Sequence, residues 1–584
     1  MLKYVKKVLY ILGADKAKAF FLIPFFLLSS LVEIIGIGLI VPYVSLIINP
    51  EKYSSNYVTL VVENFDFLTT HQDVIVIFSL ILLMVFFFKT LSMIAMNKMI
   101  FKFCINVGVK LRIRLMSYYQ SLPYGEYISR NSSEYINNIQ ALTVSYSQDV
   151  LQSMLRILSE GIVVILILTA LAFIDLQSFL LLIILMGAVV FLYDGLTKNP
   201  MYKYGKLTNK YSRKTIQGVN ESMSGFKEIR ILNKEKYFYN MVVNSTTKHA
   251  LASISSFTIK AMPRYFIEFI LILFIVSLVL YFIFLDKGLD SLIPILSAFS
   301  VAALRLLPSI NQISSGFTSF RFGGNTVDSL YKDVKKLVQR EDGSVAMKEI
   351  KNKHFSSLKL KDISFTYPDR NNPALKKVSL ELKSGNSIGI IGTSGSGKTT
   401  LIDVMLGLLK PQKGDILLNG NAVHNDLFEF TSKVAYIPQQ AFIIDDSLKR
   451  NITLSQKDNE INEQILEESI VLSRLSSFIK DLPEGVNTVL GEGGVRLSGG
   501  QKQRISLARA FYHQRDILIM DESTSSLDNE TEKEVMKEIE RFKGKVTMII
   551  IAHRMSTIQH CDYIYRFDHG EIVQHGTFSE VVGL

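Results

Sequence analysis

With 584 residues the chain is too long for a single hydrophobic core, and we expect two or more domains. Hydrophobic residues make up 48% of the chain and its mean hydropathy is +0.26, which argues against a protein that lies wholly in water. The net charge of +11 is distributed along the chain without the basic face and base-stacking aromatic residues of a nucleic-acid binder, so no nucleic-acid partner is predicted.

Six apolar runs precede residue 310, and each is a candidate membrane-spanning helix. Several approach the ~20 residues that a helix needs to cross ~30 Å of hydrocarbon, and the shorter ones extend into amphipathic flanks. The first run is longer than the apolar core of a signal peptide and carries Glu33, which argues against cleavage there. The predicted spans lie at 20–48, 74–88, 162–173, 179–192, 266–284 and 292–307.

Basic residues are unevenly divided between the loops, which sets the predicted orientation. The segment 198–264 carries thirteen Lys and Arg residues, whereas the opposite loops hold only Lys52 and Lys287. By the positive-inside rule the N-terminus, both long loops and the C-terminal domain face the cytosol. The long loops are helix-prone, and each is predicted to turn near its middle, around 131–136 and 224–232, and to present a short segment to the soluble domain.

Beyond the last span, charged residues without an apolar period predict a linker at 330–355. A phosphate-binding loop then follows a predicted buried strand at 387–391. In Gly392-Thr393-Ser394-Gly395-Ser396-Gly397-Lys398-Thr399 the glycines let successive backbone N–H groups point at phosphate oxygens. Lys398 is placed to reach the β/γ-phosphates and Thr399 to offer a hydroxyl to Mg²⁺, and the following helix adds its dipole.

A second buried strand, predicted at 516–520, ends in two carboxylates. Asp521 is placed to hold Mg²⁺ and Glu522 to polarise the attacking water as a general base. Between the two motifs, Leu497-Ser498-Gly499-Gly500-Gln501 begins a helix and forms a second anion-binding site. Because one chain cannot easily bring both loops to the same nucleotide, two chains are implied.

These motifs resemble those of ATP-binding cassette (ABC) exporter half-transporters, and the resemblance covers the whole chain. It implies the type I ABC exporter fold, with an α-helical domain of six transmembrane helices fused to an α/β P-loop NTPase domain. The expected boundaries are 1–329 for the transmembrane domain, 330–355 for the linker and 356–584 for the nucleotide-binding domain. The resemblance also implies ATP and Mg²⁺ as cofactors and ATP hydrolysis coupled to transport.

The same resemblance assigns further roles. Tyr367 lies where the family stacks an aromatic ring on adenine, and Gln439 matches a glutamine that senses the γ-phosphate. His553 matches a histidine that contacts the γ-phosphate, and the loop ending at Asp528 matches one that couples the two sites. The predicted catalytic residues are Lys398, Glu522 and His553, and the predicted metal ligands are Thr399, Gln439 and Asp521. The predicted nucleotide contacts are Tyr367, Gly392, Thr393, Ser394, Gly395, Ser396, Gly397, Lys398, Thr399, Thr400, Gln439, Ser498, Gly499, Gly500, Gln501, Asp521 and Asp528.

The family signature at 497–501 would cap the ATP held by the phosphate loop of a partner chain. Because Glu522 is present and the signature is intact, a homodimer with two active sites is favoured over a heterodimer with one inactive site.

Ionisable residues within the spans are candidates for cargo contacts, because they are costly in lipid. Lys89, Arg264 and Arg305 fall at similar predicted depths in the inner-leaflet half, where they could surround an anionic head group. Alternatively each cation reaches the cytosolic interface, or Arg264 simply pairs with Glu268 one turn along its helix. Glu33, near mid-membrane, is expected to hydrogen-bond between helices rather than to bind cargo.

A narrower resemblance is to PglK-type ABC flippases, which move polyprenyl-pyrophosphate-linked oligosaccharides for protein glycosylation. It rests on Arg305-Leu306-x-Pro308-Ser309, on Pro263-Arg264 with Glu268 following, and on the segment from Glu33 to Pro42. It implies that basic residues at these positions meet the pyrophosphate, and that the external segment 51–67 lies against the lipid tail. The favoured function is therefore flipping of an anionic lipid across the bacterial cytoplasmic membrane. The alternatives are an exporter of drugs, lipid A-type lipids or peptides, and a regulator that gates a channel or partner.

Overall fold

The computed structural model describes residues 2–48, 71–284, 289–342, 354–367, 370–422, 428–455, 457–522, 529–552 and 554–583. The chain divides into two compact units, Met1–Leu122 with Ile128–Val345, and Pro123–Tyr127 with Ala346–Leu584. His553, Asp528 and the external segment 51–67 lie outside the described residues.

The first unit is helical. Its residues 138–151 include two π-helical turns, Asn138–Leu142 and Tyr146–Leu151, and a 3₁₀ turn spans Gly13–Asp15. Its helices, together with α5 of the second unit, are α1 (Leu2–Leu12), α2 (Lys16–Phe20), α3 (Leu22–Ile48), α4 (His71–Gln120), α5 (Tyr124–Ile128), α6 (Ser132–Asn137), α7 (Thr143–Ser145), α8 (Gln152–Ile174), α9 (Leu176–Ser224), α10 (Phe226–Ile231), α11 (Glu235–Phe284), α12 (Leu289–Phe322) and α13 (Gly324–Asp342).

The six predicted spans fall on the six long helices α3, α4, α8, α9, α11 and α12. Among the described residues, four segments are long and apolar enough to cross a membrane by length and composition alone: Leu22–Ile40, Ile75–Gln120, Ser132–Ile174 and Glu235–Phe284. The apolar part of α9 is shorter, Leu176–Ala188, and α12 carries Arg305. Large apolar side chains on the spans remain exposed, for example Leu83 at 68% and Phe87 at 62%, as expected of surfaces that face lipid.

The two turns predicted within the long loops differ in how well the sequence placed them. The second is confirmed, since α9 ends at Ser224 and the short helix α10 precedes α11. The first was predicted too late: α4 already ends at Gln120, and Pro123, which cannot continue a helix, precedes α5. Asn131 instead begins a new helix, because its side chain accepts a hydrogen bond from the Ser133 N–H at 2.9 Å.

The predicted linker at 330–355 is wrong in its first part. Residues up to Asp342 belong to α13, and Leu330, Val334 and Leu337 are buried in the core of the first unit. Their spacing of four and three residues places them on one helix face, with the charged residues on the other. The charge of this segment hid an apolar stripe of helical period.

The second unit contains two sheets. The strands are β1 (Ser357–Phe365), β2 (Leu375–Lys383), β3 (Ser387–Gly392), β4 (Lys413–Leu418), β5 (Asn421–Ala422), β6 (Val434–Ile437), β7 (Ile517–Asp521), β8 (Thr547–Ile551), β9 (Tyr563–Asp568) and β10 (Glu571–Gly576). One sheet is antiparallel with the order β2-β1-β4-β5, and the other has the order β10-β9-β3-β8-β7-β6. In the second sheet only the β9–β10 pair is antiparallel.

The described helices of this unit, besides α5, pack against the sheets or against one another. They are α14 (Lys398–Met405), α15 (Phe428–Thr431), α16 (Leu448–Thr453), α17 (Glu463–Leu472), α18 (Ser476–Lys480), α19 (Gly499–Tyr512), α20 (Asn529–Glu540), α21 (Met555–Ile558) and α22 (Phe578–Val582).

The parallel strands bring the predicted catalytic motifs to one edge. β3 and β7 are buried, and both pair with β8 in parallel. Their carboxyl ends therefore meet at the same edge of the sheet, where Gly392 begins the phosphate loop and Asp521 ends β7. Such an edge is where open α/β sheets hold their ligands.

Candidate functional site

The phosphate loop is a close turn between β3 and α14. Gly392, Gly395 and Gly397 have φ of +154°, +80° and +107°, backbone angles that residues other than glycine rarely adopt. A Cβ at Gly392 would lie 2.3 Å from the Phe567 carbonyl oxygen, so that glycine is also required by space. The loop backbone thus takes a shape that points N–H groups inward at the start of a helix.

Lys398 is buried and is held by the loop itself. Its Nζ donates to the carbonyl oxygens of Gly392 at 2.9 Å and Thr393 at 3.0 Å. Burial lowers the pKa of Lys398, while the carboxylates of Glu522 and Asp521 act in the opposite direction. A bound phosphate could therefore take the place of these two neutral carbonyl acceptors and form a stronger, charge-assisted hydrogen bond with the Lys398 ammonium group.

The two carboxylates after β7 differ in their surroundings. Asp521 is buried, and its Oδ2 accepts a hydrogen bond from the Tyr436 hydroxyl at 3.2 Å. Burial is the main reason that the pKa of Asp521 is raised. Glu522 lies nearer the surface, and its Oε2 accepts from Gln439 Nε2 at 2.6 Å. Its φ of +48° is unusual for a residue with a side chain, and such backbone strain is often found at functional sites.

One open cavity of about 960 Å³ adjoins these groups. The predicted residues that line it are Tyr367, Ser394, Gly395, Gly397, Lys398, Thr399, Thr400, Gln439 and Glu522, whereas Gly392, Thr393, Ser396 and Asp521 do not. The Tyr367 hydroxyl lies 3.2 Å from Thr400 Oγ1, which fixes the ring at the edge of the loop. The sequence analysis missed the remaining part of the wall, which is Arg370, Asn371, Asn372, Pro373, Ala374, Lys376, His569 and Gly570.

Little in the sequence marked this missed wall. Arg370 lies three residues after Tyr367, with its guanidinium 5.9 Å from the centre of that ring, and this proximity was a usable signal. His569 comes from the β9–β10 turn, which is distant in sequence and joins the site only through sheet order.

Asp403 is a further carboxyl beside the site that the sequence analysis did not single out. It lies on α14, and burial, followed by the nearby charge of Asp521, raises its pKa to about 6. The side chains of Thr399 and Asp521 supply hard oxygen donors of the kind that Mg²⁺ prefers.

The signature segment at 497–501 is formed but stands apart from this cavity. Ser498 caps α19, accepting from the Gln501 N–H at 3.2 Å, while Gln501 Oε1 accepts from the Ser498 N–H at 2.8 Å. Among the described residues that line the cavity, none belongs to this segment. Within one chain, the two anion-binding loops are therefore not brought together.

The predicted cargo residues of the spans form an unexpected cluster. Arg305 contacts both carboxylate oxygens of Glu33, with its Nη2 2.9 Å from Oε2, and Glu160 Oε2 at 3.1 Å. Lys89 Nζ lies 3.4 Å from Glu33 Oε1, and the Ser309 hydroxyl donates to Glu160 at 2.7 Å. Glu33 joins α3 to α4 and α12, consistent with its predicted role between helices.

Arg264 does not take part in this cluster. Its side chain is 64% exposed and pairs with Glu268 at 2.9 Å, as the alternative interpretation had it. The three cations therefore do not form the predicted ring in this structure. Glu160 was missed because the apolar run was counted from residue 162, which left this carboxylate just outside the predicted span.

Comparisons with known proteins place family matches in both units. Residues 51–301 match the family described as ABC transporter transmembrane region, and residues 375–525 match the family described as ABC transporter. The second match contains the phosphate loop, the signature and the two carboxylates.

Several curated relatives are similar over most of their length. The ATP-dependent lipid A-core flippase of Cupriavidus pinatubonensis (strain JMP 134 / LMG 1197) is 25% identical over 480 residues, covering 82% of this chain and 80% of the relative. The protein of the same name from Pseudoalteromonas translucida (strain TAC 125) is 29% identical over 485 residues, covering 80% of each. Among solved structures, a bacterial Atm1-family ABC exporter with ATP bound superposes with a TM-score of 0.75 over 98% of this chain and 96% of the other, at 18% identity. The helical unit and the nucleotide-binding unit together show the type I ABC exporter fold.

Proposed function

The chain is an ABC exporter half-transporter that couples ATP hydrolysis to transport, and on this basis we propose that it is a homodimeric flippase of an anionic, phosphate-bearing lipid. The observation that carries the proposal is the similarity to transporters named ATP-dependent lipid A-core flippase over about four fifths of both chains. A lipid A-type glycolipid is therefore the first candidate cargo. A polyprenyl-pyrophosphate-linked oligosaccharide, favoured by the narrower sequence resemblance, is the second.

In the proposed ATPase reaction the predicted site residues bind the nucleotide, activate the attacking water and hold the metal. The loop N–H groups and Lys398 bind the phosphates, Tyr367 stacks on adenine, and Glu522 takes the proton of the attacking water. Gln439, which donates to Glu522, orients that carboxylate. Thr399 and Asp521, with Gln439, would hold Mg²⁺, which neutralises phosphate charge when bound. On sequence resemblance, His553 would contact the γ-phosphate, and the loop ending at Asp528 would couple the two sites.

The proposed assembly has two composite sites. Ser498, Gly499, Gly500 and Gln501 would cap the nucleotide of the partner chain, because they do not reach the cavity of their own chain. The cationic contacts proposed for the lipid head group are Lys89 and Arg305, with Arg264 as an exposed third cation that is already paired. The loop charges favour insertion in the bacterial cytoplasmic membrane with the N-terminus and nucleotide-binding unit cytosolic.

Proteoliposomes containing either lipid provide the test. The fraction of the glycolipid exposed on the outer leaflet would be measured before and after ATP addition, with Glu522→Gln as the hydrolysis-deficient control. We expect ATP to redistribute the lipid A-type glycolipid in the native chain and not in the variant.

Other outcomes discriminate between the candidates. Movement of only the polyprenyl-linked oligosaccharide would make that lipid the cargo. Intact ATP hydrolysis without movement of either lipid would overturn the lipid proposal and favour the exporter of drugs or peptides.

A further inference from the structure

The cluster of Glu33, Lys89, Glu160 and Arg305 is unusual because two buried carboxylates and two largely buried cations, with side chains 15% and 12% exposed, meet between four long helices. Glu33 and Glu160 are 2% and 5% exposed, and they come from α3 and α8, whereas Lys89 and Arg305 come from α4 and α12. The two acids and two bases cancel, so the cluster is formally neutral. Each charge is expensive in apolar surroundings unless it is paired, so neutrality is a condition for this packing.

The pairing leaves the two cations occupied. Glu33 accepts from the Arg305 guanidinium in a two-point contact and also lies against Lys89. The Nη2 group that contacts Glu33 also contacts Glu160, which Ser309 holds as well. An anion can therefore take the two-point contact of the Arg305 Nε and Nη2 groups only by replacing a carboxylate of the protein itself.

Such an exchange favours particular anions. A monoanion that replaces one carboxylate only restores the one negative charge and the two acceptor oxygens that the carboxylate supplied. The exchange therefore gains little binding free energy. A phosphate group offers three acceptor oxygens and up to two charges, and its geometry fits the planar fork of arginine. A head group with two phosphates could satisfy Lys89 and Arg305 together.

We propose that Glu33 and Glu160 are internal counter-ions that occupy Lys89 and Arg305 in the unloaded transporter and yield them only to a head group with several phosphate charges. This inference rests on the proposed function, and it adds the residues that set its charge selectivity. Glu33 is the principal selector because it contacts both cations, whereas Glu160 contacts only Arg305.

The test uses the full-length chain in nanodiscs of phosphatidylcholine. A lipid A-type glycolipid with two phosphates and the same lipid with one phosphate would each be titrated, and the concentration for half-maximal ATPase stimulation measured. In the native chain we expect half-maximal stimulation by the two-phosphate lipid at no more than about one tenth of the concentration that the one-phosphate lipid requires. Glu33→Gln should reduce that preference to about threefold or less, and Glu160→Gln should reduce it partially.

Two further variants serve as controls. Glu235→Gln removes the same charge from an exposed pair with Arg230, away from the proposed cargo contacts, and it should keep the native preference. Glu33→Asp keeps the negative charge and should also keep the native preference for two phosphates. Because Glu33→Gln leaves the cluster with one excess positive charge, its thermal unfolding midpoint should rise more than that of the native chain when the one-phosphate lipid is added.

The outcomes separate this inference from the proposed function. If the native chain responds to neither form of the lipid A-type glycolipid, that candidate cargo is excluded and the counter-ion inference, which is argued on it, is overturned. If the native chain prefers the two-phosphate lipid, and Glu33→Gln and Glu160→Gln both retain that preference, the proposed function stands and the counter-ion inference is overturned.

Discussion

At the scale of single residues, Glu522 carries the clearest catalytic prediction. It lies at the carboxyl end of β7 with Gln439 as its hydrogen-bond partner, in the position of a general base. We expect Glu522→Gln to lower the ATP hydrolysis rate by about 100-fold or more, while ATP binding persists. Glu467→Gln, on an exposed face of α17, should leave the rate unchanged. Full turnover in Glu522→Gln would contradict the assignment.

Arg305 and Arg264 are both paired arginines of predicted spans, but their surroundings differ. Arg305→Ala would leave Glu33 and Glu160 buried without their shared partner, a loss of about 3–5 kcal/mol for a buried pair. Arg264→Ala breaks an exposed pair, whose contribution to stability is small because solvent screens it. Thermal unfolding of the purified chain in detergent should therefore show a large drop for the first variant and almost none for the second. Equal drops in the thermal unfolding midpoint would contradict the difference in burial between the two arginines.

Asp403 gives a prediction about pH. Burial and the neighbouring Asp521 raise its pKa from 3.8 to about 6, so the folded domain favours the protonated carboxyl. The stabilisation from that proton is complete below pH 3.8 and is lost as the pH rises through about 6. At pH 7.5 Asp403→Asn should therefore be more stable than the native chain, by about 1–2 kcal/mol after allowance for partial exposure.

Thermal unfolding midpoints of both proteins, measured from pH 4 to 8, would check this expectation. The advantage of Asp403→Asn should shrink as the pH falls below about 6. An advantage that stays constant across this range would show that the carboxyl does not titrate there.

At the scale of secondary-structure elements, α13 shows what sequence reasoning can overlook. Its stripe of Leu330, Val334 and Leu337 was masked by the lysines between them. Leu330 is fully buried, and Leu330→Ala should cost about 2–5 kcal/mol. Lys335→Ala, on the exposed face of the same helix, should change the thermal unfolding midpoint little. If both variants unfold at the native temperature, α13 does not pack as the structure shows.

The phosphate loop and the two carboxylates could be predicted because each motif is local and carries its own chemistry. The candidate spans could be located as well, since each is a long apolar run, whereas the type I ABC exporter fold was predicted from the resemblance of the motifs to a known family. The partners of Arg305 could not be predicted, because Glu33 and Glu160 reach it from helices more than a hundred residues away. His569 escaped for a similar reason, since sheet order brings it to the cavity, whereas Arg370 lies only three residues from Tyr367 and was overlooked.

At the scale of the whole molecule, the separation of the signature from the phosphate cavity leads to a prediction about assembly. If the active form is a homodimer, Ser498 of one chain should approach the phosphate loop of the other when ATP is bound. Ser394 is an exposed residue of that loop, and both native cysteines, Cys104 and Cys561, are buried and replaceable by serine. In that background with Glu522→Gln, the pair Ser394→Cys and Ser498→Cys should form a covalent dimer under oxidation.

Three features of the cross-link would identify a composite site. It should require ATP, since the nucleotide bridges the two loops, and it should be absent when Ser498→Cys is present alone. It should also disappear when Lys398→Ala removes the cation that binds the phosphates, because the loop then no longer retains ATP. A chain that remains monomeric on a denaturing gel under all these conditions would exclude the composite site. The signature would then need a partner other than a second copy of the chain.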